Sequence, residues 1–208
     1  MESFWSDLLS DVSTHSGLDI SDVHVCDPQK NIFEEHKRKQ WTTSGEQRCD
    51  FSPRLAIVKR CDYLCVAPWR RTLYGRTLRE IKADDTMPQF FAEAMGPLVK
   101  AMIGSSLHRG GWALMTTPKR RHRERNFATR VCLLMAEQLG IPFYEDAVTA
   151  HNTDRVHPIF RLARLPDENN VILFDDIVTT GITLETTKRL IEEHQKNIII
   201  FVGINNHL

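Results

Sequence analysis

Residues 171–187 read VILFDDIVTTGITLETT, and their order decides the fold. Four apolar residues, Val171, Ile172, Leu173 and Phe174, run directly into two carboxylates, Asp175 and Asp176. A small, hydroxyl-rich loop follows, with Thr179, Thr180, Gly181 and Thr183. Then Leu184, Thr187, Leu190 and Ile191 fall on one face of a helix. An unbroken apolar run bounded by polar residues predicts a strand buried on both faces, as in a parallel sheet. The acidic pair then sits at the carboxyl end of a central strand, and the loop at the amino end of a helix. Open α/β sheets take ligands at that place. Free N–H groups and the helix dipole there favour an anion, phosphate above all.

The residue types narrow the ligand. Paired carboxylates suit sugar hydroxyls or a hydrated divalent cation, since both want oxygen acceptors. Threonines around a glycine offer hydroxyl donors and let the backbone approach a phosphate. A sugar diol with a phosphate describes a ribose 5-phosphate. The plainer alternative is a turn whose Asp and Thr residues only cap the helix. Two acids and three threonines within nine residues speak against that alternative.

The segment resembles the phosphoribosyl-pyrophosphate signature of type I phosphoribosyltransferases: apolar strand, two acids, a T-T-G-x-T loop, helix. Walker loops lack the acidic pair and end in Gly-Lys-Ser/Thr, which is absent here. The resemblance implies an α/β fold, an open, mostly parallel twisted sheet flanked by helices, with an amino-terminal hood. It implies that Asp175 and Asp176 hold the ribose hydroxyls and, through water or those hydroxyls, Mg²⁺. It implies that Val178, Thr179, Thr180, Gly181, Ile182 and Thr183 hold the 5-phosphate.

Composition sets the outer bounds. The chain has 208 residues, 41% of them hydrophobic, enough for one domain with a core. Basic and acidic residues balance at 27 each, which argues against nucleic acid as the main partner. No apolar run approaches the ~18 residues of a membrane span. The start, MESFWSDLLSDVS, lacks the pattern of a secretory signal, so a cytoplasmic location is expected. The five cysteines, Cys26, Cys49, Cys61, Cys65 and Cys132, are odd in number and irregularly spaced, which argues against a disulfide framework. A zinc site using Cys26 and Cys49 lacks the close ligand pairs that mark such motifs.

Along the chain, residues 1–70 form an extension or hood that carries no readable motif. Residues 4–12 have helical spacing, and 30–48 are polar and charged. Phe33, Trp41, Trp69 and Tyr74 could stack on a base, though packing is the commoner role for such rings. Residues 71–208 form the α/β core. Residues 54–67, rich in β-formers, read as one long strand or a hairpin, and 71–82 as a basic helix or turn. A helix is expected from Asp85 or Thr86 to Gly104, kinked at Pro97. Residues 112–115, WALM, predict a short buried strand. A basic loop follows, and then a helix over 127–139 closed by Gly140 and Pro142. This second strand–loop–helix corner lies on the same sheet edge as the acidic pair. PFYEDAV (142–148) is the next strand. About twenty irregular residues lead to the acidic motif, in which RLARL reads as a mobile functional loop or a short solvated helix.

A narrower resemblance, to the ComF branch of the family, rests on Tyr74, Gly75, Leu78, Arg79, Ile81 and Lys82. It continues in Thr117 and Pro118 and in Arg123, Glu124, Arg125, Asn126 and Phe127. It covers residues ~72–208. The chain departs from the branch at Thr116, where a proline is expected, at Asn126, which replaces a glycine, and in lacking paired Cys-x-x-Cys. The resemblance implies a pyrophosphate loop at Thr116, Thr117, Pro118, Lys119 and Arg120. Lys119 and Arg125 would stabilise the leaving group, and flexible-loop arginines Arg155, Arg161 and Arg164 would reach it, with His157 nearby. The implied activity is pentosyl transfer: phosphoribosyl pyrophosphate and a base or nucleotide as partners, Mg²⁺ as cofactor, a homodimer as one assembly. Two alternatives stay open. One is a non-catalytic module of the same fold that senses phosphoribosyl pyrophosphate or a nucleotide. The other, a receiver domain, would need its acidic pair on the first strand.

Overall fold

A computed structural model describes residues 46–119, 125–151 and 159–207. Cys26, Phe33, Trp41, Arg120, Arg123, Glu124, Arg155 and His157 lie outside the described residues. The strands are β1 (Arg48–Cys49), β2 (Ala56–Arg60), β3 (Tyr63–Ala67), β4 (Trp69–Arg70), β5 (Arg76–Thr77), β6 (Trp112–Thr116), β7 (Phe143–Tyr144), β8 (Val148–Ala150), β9 (Phe160–Leu162), β10 (Asn170–Val178) and β11 (Asn197–Asn205). The helices are α1 (Leu78–Ala83), α2 (Met87–Ile103), α3 (Phe127–Leu139) and α4 (Ile182–Glu192).

The central sheet runs β2-β3-β11-β10-β6-β7, with β4 extending the β3 side along β11. Every pairing in it is parallel except β2 with β3. The expected open, mostly parallel sheet flanked by helices is therefore present. The apolar runs account for it: Val171 to Phe174 and Ile198 to Val202 are at most 6% exposed. Each such side chain contributes roughly 1.5–3 kcal/mol on burial. Two cores result. The larger holds Phe91, Met95 and Val99 of α2 with Val131, Cys132 and Met135 of α3. The smaller holds Leu184 and Ile191 of α4.

The connections fix where a ligand can bind. From β6 the chain crosses through α3 to β7, at one edge. From β10 it crosses through α4 to β11, in the other direction. Right-handed crossovers running in opposite directions put α3 and α4 on opposite faces. Between β6 and β10 the strand order reverses, and open α/β sheets take ligands outside the carboxyl ends of the strands at such a point.

The structure decides several expectations and corrects others. The boundary near residue 70 falls inside the sheet, because β2, β3 and β4 pair into it. Residues 54–67 form a hairpin, turned by Cys61 at φ 46°. Residues 76–83 form β5 and α1, the helix started by a capping box in which Thr77 and Glu80 bond reciprocally. α2 has Thr86 at its N-cap position without a side-chain capping bond, carries Pro88 in its first turn and ends at Gly104 as expected, and runs on through Pro97. PFYEDAV splits: β7 joins the sheet edge, while β8 pairs antiparallel with β9 in a separate ribbon. RLARL is therefore strand and turn, not helix.

The acidic pair is also not beyond its strand. The pairing of β10 with β6 stops at Phe174↔Thr116, but β10 continues beside β11 to Val178↔Asn205. Inside that overhang the faces switch. Phe174 and Ile177 pack on the same core, and Leu173 and Val178 share the other. A regular strand of period two does not allow either pairing. Phe201 and Ile204 on β11 repeat the switch. Such irregularities re-aim side chains near functional sites.

Gly203 faces Asp176 in this overhang. A Cβ there would run into the Phe91 ring and stand 2.8 Å from the Asp176 carbonyl oxygen. Gly203→Ala is expected to destabilise by about 1–3 kcal/mol in urea unfolding. Gly96→Ala meets only the amide end of the exposed Gln138 side chain and should be neutral or stabilising by about 0.5–1 kcal/mol. Equal effects would contradict the close packing of the overhang.

Candidate functional site

Asp175 and Asp176 lie where β6 ends. Asp176 is 8% exposed, and its Oδ2 lies 2.6 Å from Nζ of Lys82, in the last turn of α1. Its backbone N–H donates to Asp175 Oδ1 at 2.9 Å. Burial, with Asp176 adding to it, pushes the Asp175 carboxyl well above the usual carboxylate range. Burial alone would pull the Lys82 ammonium down, but the charge and hydrogen bond of Asp176, with Asp175 behind it, hold it above its ordinary value. The site is thus an acid pair with its own cation. Sequence reading placed Lys82 only in a resemblance and missed its partner. The capping box was legible as T-x-x-E, but nothing local says that α1 lies against β10.

The threonine loop is built from two sides. Val178 is buried and bonded through its carbonyl to the Asn206 N–H at 2.9 Å. Thr179 and Thr180 are exposed. Thr179 Oγ1 accepts from Asn206 Nδ2 at 3.0 Å. Gly181 is buried at φ 85°, and the Tyr63 hydroxyl donates to its carbonyl at 3.0 Å. Burial pushes that hydroxyl's pKa far up, so it stays a donor. Cys61 Sγ donates to the Thr180 carbonyl at 3.7 Å. The thiol is pushed up to about 11, by burial first. A side chain on Gly181 would collide with Tyr63, so glycine is required there. α4 opens at Ile182 and Thr183 without a side-chain cap. The first N–H groups of a helix have no intrahelical acceptor and accommodate an anion. Glu185, in that first turn, is held by Arg189 at 2.5 Å.

The β6 loop shares this edge. Thr116, Thr117 and Pro118 are buried, Thr116 Oγ1 donates to the Thr117 carbonyl at 3.0 Å, and the Thr117 N–H donates to the Phe174 carbonyl at 3.4 Å. The expected cations turn elsewhere. Lys119 Nζ lies 2.8 Å from Glu145 and 3.1 Å from Asp146, in the turn between β7 and β8, and Arg125 is 4.0 Å from Glu145. Burial works against the Lys119 charge, but those two carboxylates outweigh it and raise its pKa. Arg161 lies exposed on β9. The Arg164 guanidinium stacks on Tyr144 at 4.7 Å. Trp69 is packed, stacked on Phe90 at 5.4 Å, whereas Tyr74 is 77% exposed.

A resident Mg²⁺ does not fit the acidic pair as it stands. One carboxylate already carries an ammonium at ion-pair distance, 2.6 Å from its Oδ2. A hard divalent cation asks for anionic or strongly polar oxygens free to face it.

No family model matches the chain, and no curated protein matches it. Solved structures resemble it in part. One is orotate phosphoribosyltransferase from Aeropyrum pernix, 15% identical over 65% of this chain and 69% of that one, with a TM-score of 0.43. Adenine phosphoribosyltransferase from Leishmania tarentolae is 14% identical over 78% and 84%, with a TM-score of 0.44. Hypoxanthine phosphoribosyltransferase from Staphylococcus aureus is 12% identical over 57% and 72%, with a TM-score of 0.42.

The buried carboxyl has a consequence for stability. A folded-state pKa above the unfolded value of ~3.9 means that the unfolded chain releases this proton first. Asp175 therefore subtracts stability as pH rises from about 4 toward neutrality. Asp175→Asn should raise stability at pH 7 and flatten its pH dependence. Asp176→Asn strips the half-exposed Lys82 of its partner and should lower stability by up to about 1 kcal/mol. Urea unfolding at pH 4.5 and 7 checks both. A less stable Asp175→Asn at pH 7 would contradict the electrostatics.

Proposed function

We propose that the protein binds phosphoribosyl pyrophosphate and transfers its ribose 5-phosphate to a nitrogenous base, or runs that reaction in reverse. One observation carries the reading. At the switch point of the sheet, a carboxylate pair within β10 is followed, three residues on, by exposed Thr179 and Thr180 and an uncapped helix start. A ribose diol and a 5-phosphate on one sugar have that complementary layout. The likeness of residues 73–82 and 115–139 to the ComF branch supports the same reading.

The chemistry asks little of the side chains beyond position and charge. A ring nitrogen of the base attacks the anomeric carbon. The bond to the pyrophosphate oxygen breaks, and its electron pair leaves with that group. Asp176 accepts from a ribose hydroxyl, and Asp175, when protonated, donates to one. The threonine hydroxyls and the α4 N–H groups hold the 5-phosphate, a remote handle whose binding energy positions the reacting carbon. Lys82 lies beside the hydroxyls and adds positive charge where negative charge builds up. Exposed Tyr74 offers a ring on which the base would stack.

A specific observation favours a second reading, a binding module without turnover. Lys119 and Arg125 face Glu145 rather than the space beside Asp175. Calorimetric titration with phosphoribosyl pyrophosphate, followed by pyrophosphate release with a panel of purine and pyrimidine bases, separates the two. Release with any base establishes transfer, tight binding without release establishes the module, and no binding removes both. Asp175→Asn combined with Asp176→Asn should cut turnover roughly a hundredfold or more with the fold intact. Thr180→Val should weaken ligand affinity roughly tenfold or more, the loss of one hydrogen bond to a charged group. Unchanged affinity would show that the loop does not hold phosphate.

A further inference from the structure

We infer that Lys82 is a built-in counter-cation that takes the place of a divalent metal at the acidic pair, so that this site engages its ribose-phosphate ligand without Mg²⁺. The inference rests on the ribose-phosphate reading for the ligand's identity. It rests on the geometry alone for the exclusion of the metal.

The ammonium is placed, not merely nearby. α1 is anchored at its start by the reciprocal Thr77–Glu80 capping bonds. The preceding β5 pairs with β1 at Arg48↔Thr77 and Cys49↔Arg76, and the Leu78 N–H donates to the Gln47 carbonyl at 2.9 Å. Arg76 bridges to Asp84 at 2.8 Å, just past the other end of the helix. Ile81, beside Lys82, is 1% exposed and plugged into the larger core. A helix fixed at both ends and along one side presents Nζ 2.6 Å from Asp176 Oδ2.

Charge then decides which cation the pair accepts. Asp176 is paired with the ammonium at 2.6 Å, and Asp175 lies directly beside it on β10. A divalent ion entering here would find Asp176 already ion-paired and a fixed positive charge a few ångströms away, which repels it. The ammonium can also do what the metal would do. It has three donors. One is committed to Asp176, and two remain for a ribose hydroxyl and an oxygen of the diphosphate. A lysine is a compact point charge of that kind. The side chain is 46% exposed, which leaves the ammonium accessible to a ligand.

Two measurements on the whole protein test this. In the first, Mn²⁺ binding is followed by electron paramagnetic resonance for the wild type, Lys82→Gln and Lys82→Gln/Asp176→Asn. The expected result is a site gained by Lys82→Gln and absent from both other proteins. A wild-type Mn²⁺ site that Lys82→Gln/Asp176→Asn lacks, or no gain in Lys82→Gln, overturns the inference. In the second, phosphoribosyl pyrophosphate is titrated calorimetrically in EDTA and in Mg²⁺. Wild type and Lys82→Arg should bind within about twofold under both conditions. Lys82→Gln should bind roughly tenfold or more weakly in EDTA and recover in part with Mg²⁺. Wild-type binding that disappears in EDTA overturns the inference while leaving the ribose-phosphate reading standing. Absence of binding under every condition removes that reading, and the Mn²⁺ result then decides the exclusion of metal by itself. Circular dichroism confirms that each variant folds.

Discussion

Strand β10 serves two opposed demands within nine residues. Its first half must be apolar on both faces, because β6 and β11 flank it and helices cover it above and below. Its second half must present two carboxylates without leaving the sheet. The chain meets both by letting β6 stop at Thr116 while β11 continues to Asn205. Past that point β10 has one neighbour instead of two, and its alternation of faces shifts within the acidic pair. Polar groups find room there that the interior of the sheet does not offer. Gly203, across from Asp176, makes the room on the partner strand.

The remaining elements support this overhang. The β2–β3 hairpin, which pairs into the sheet through Cys65 and Val66, brings Tyr63 and Cys61 under the carbonyls of Gly181 and Thr180. The carboxyl end of β11 supplies Asn206 to Thr179. From the opposite side, α1 brings Lys82 to Asp176. The threonine loop is thus held by its own neighbours in space, while Thr179 and Thr180 stay exposed. The Asp175 carboxyl, pushed up by burial and by Asp176, is of the kind that clusters at functional sites.

Much of this was legible in the sequence, for a definite reason. Apolar runs, a T-x-x-E capping box and the Gly140 stop are local signals. α3 fell on residues 127–139 as its pattern predicts, and the buried runs at 112–115, 171–174 and 198–204 lie in adjacent parallel strands. The misreadings came where tertiary pairing overrides local pattern. Residues 142–148 look like one strand, but Asp146 at φ 54° breaks them, and Val148 pairs with Leu162 instead of continuing on the sheet. The basic run after β6 suggested charge for a pyrophosphate, yet Lys119 is claimed by Glu145 and Asp146, two acids that no sequence pattern connects to it. Lys82 shows the reverse case: an ordinary helix lysine by pattern, and the ion-pair partner of Asp176 in space.

The central claim is that the carboxyl-end overhang of β10, with the start of α4 and the end of α1, forms a single ribose-phosphate site. Hydrogen–deuterium exchange with and without phosphoribosyl pyrophosphate, in EDTA, tests it most directly. The account predicts that the ligand slows exchange in peptides covering 175–187 and 78–83 together, with little change in 104–111. Protection confined to other segments, or none at 175–187 under conditions where the ligand binds, would contradict it.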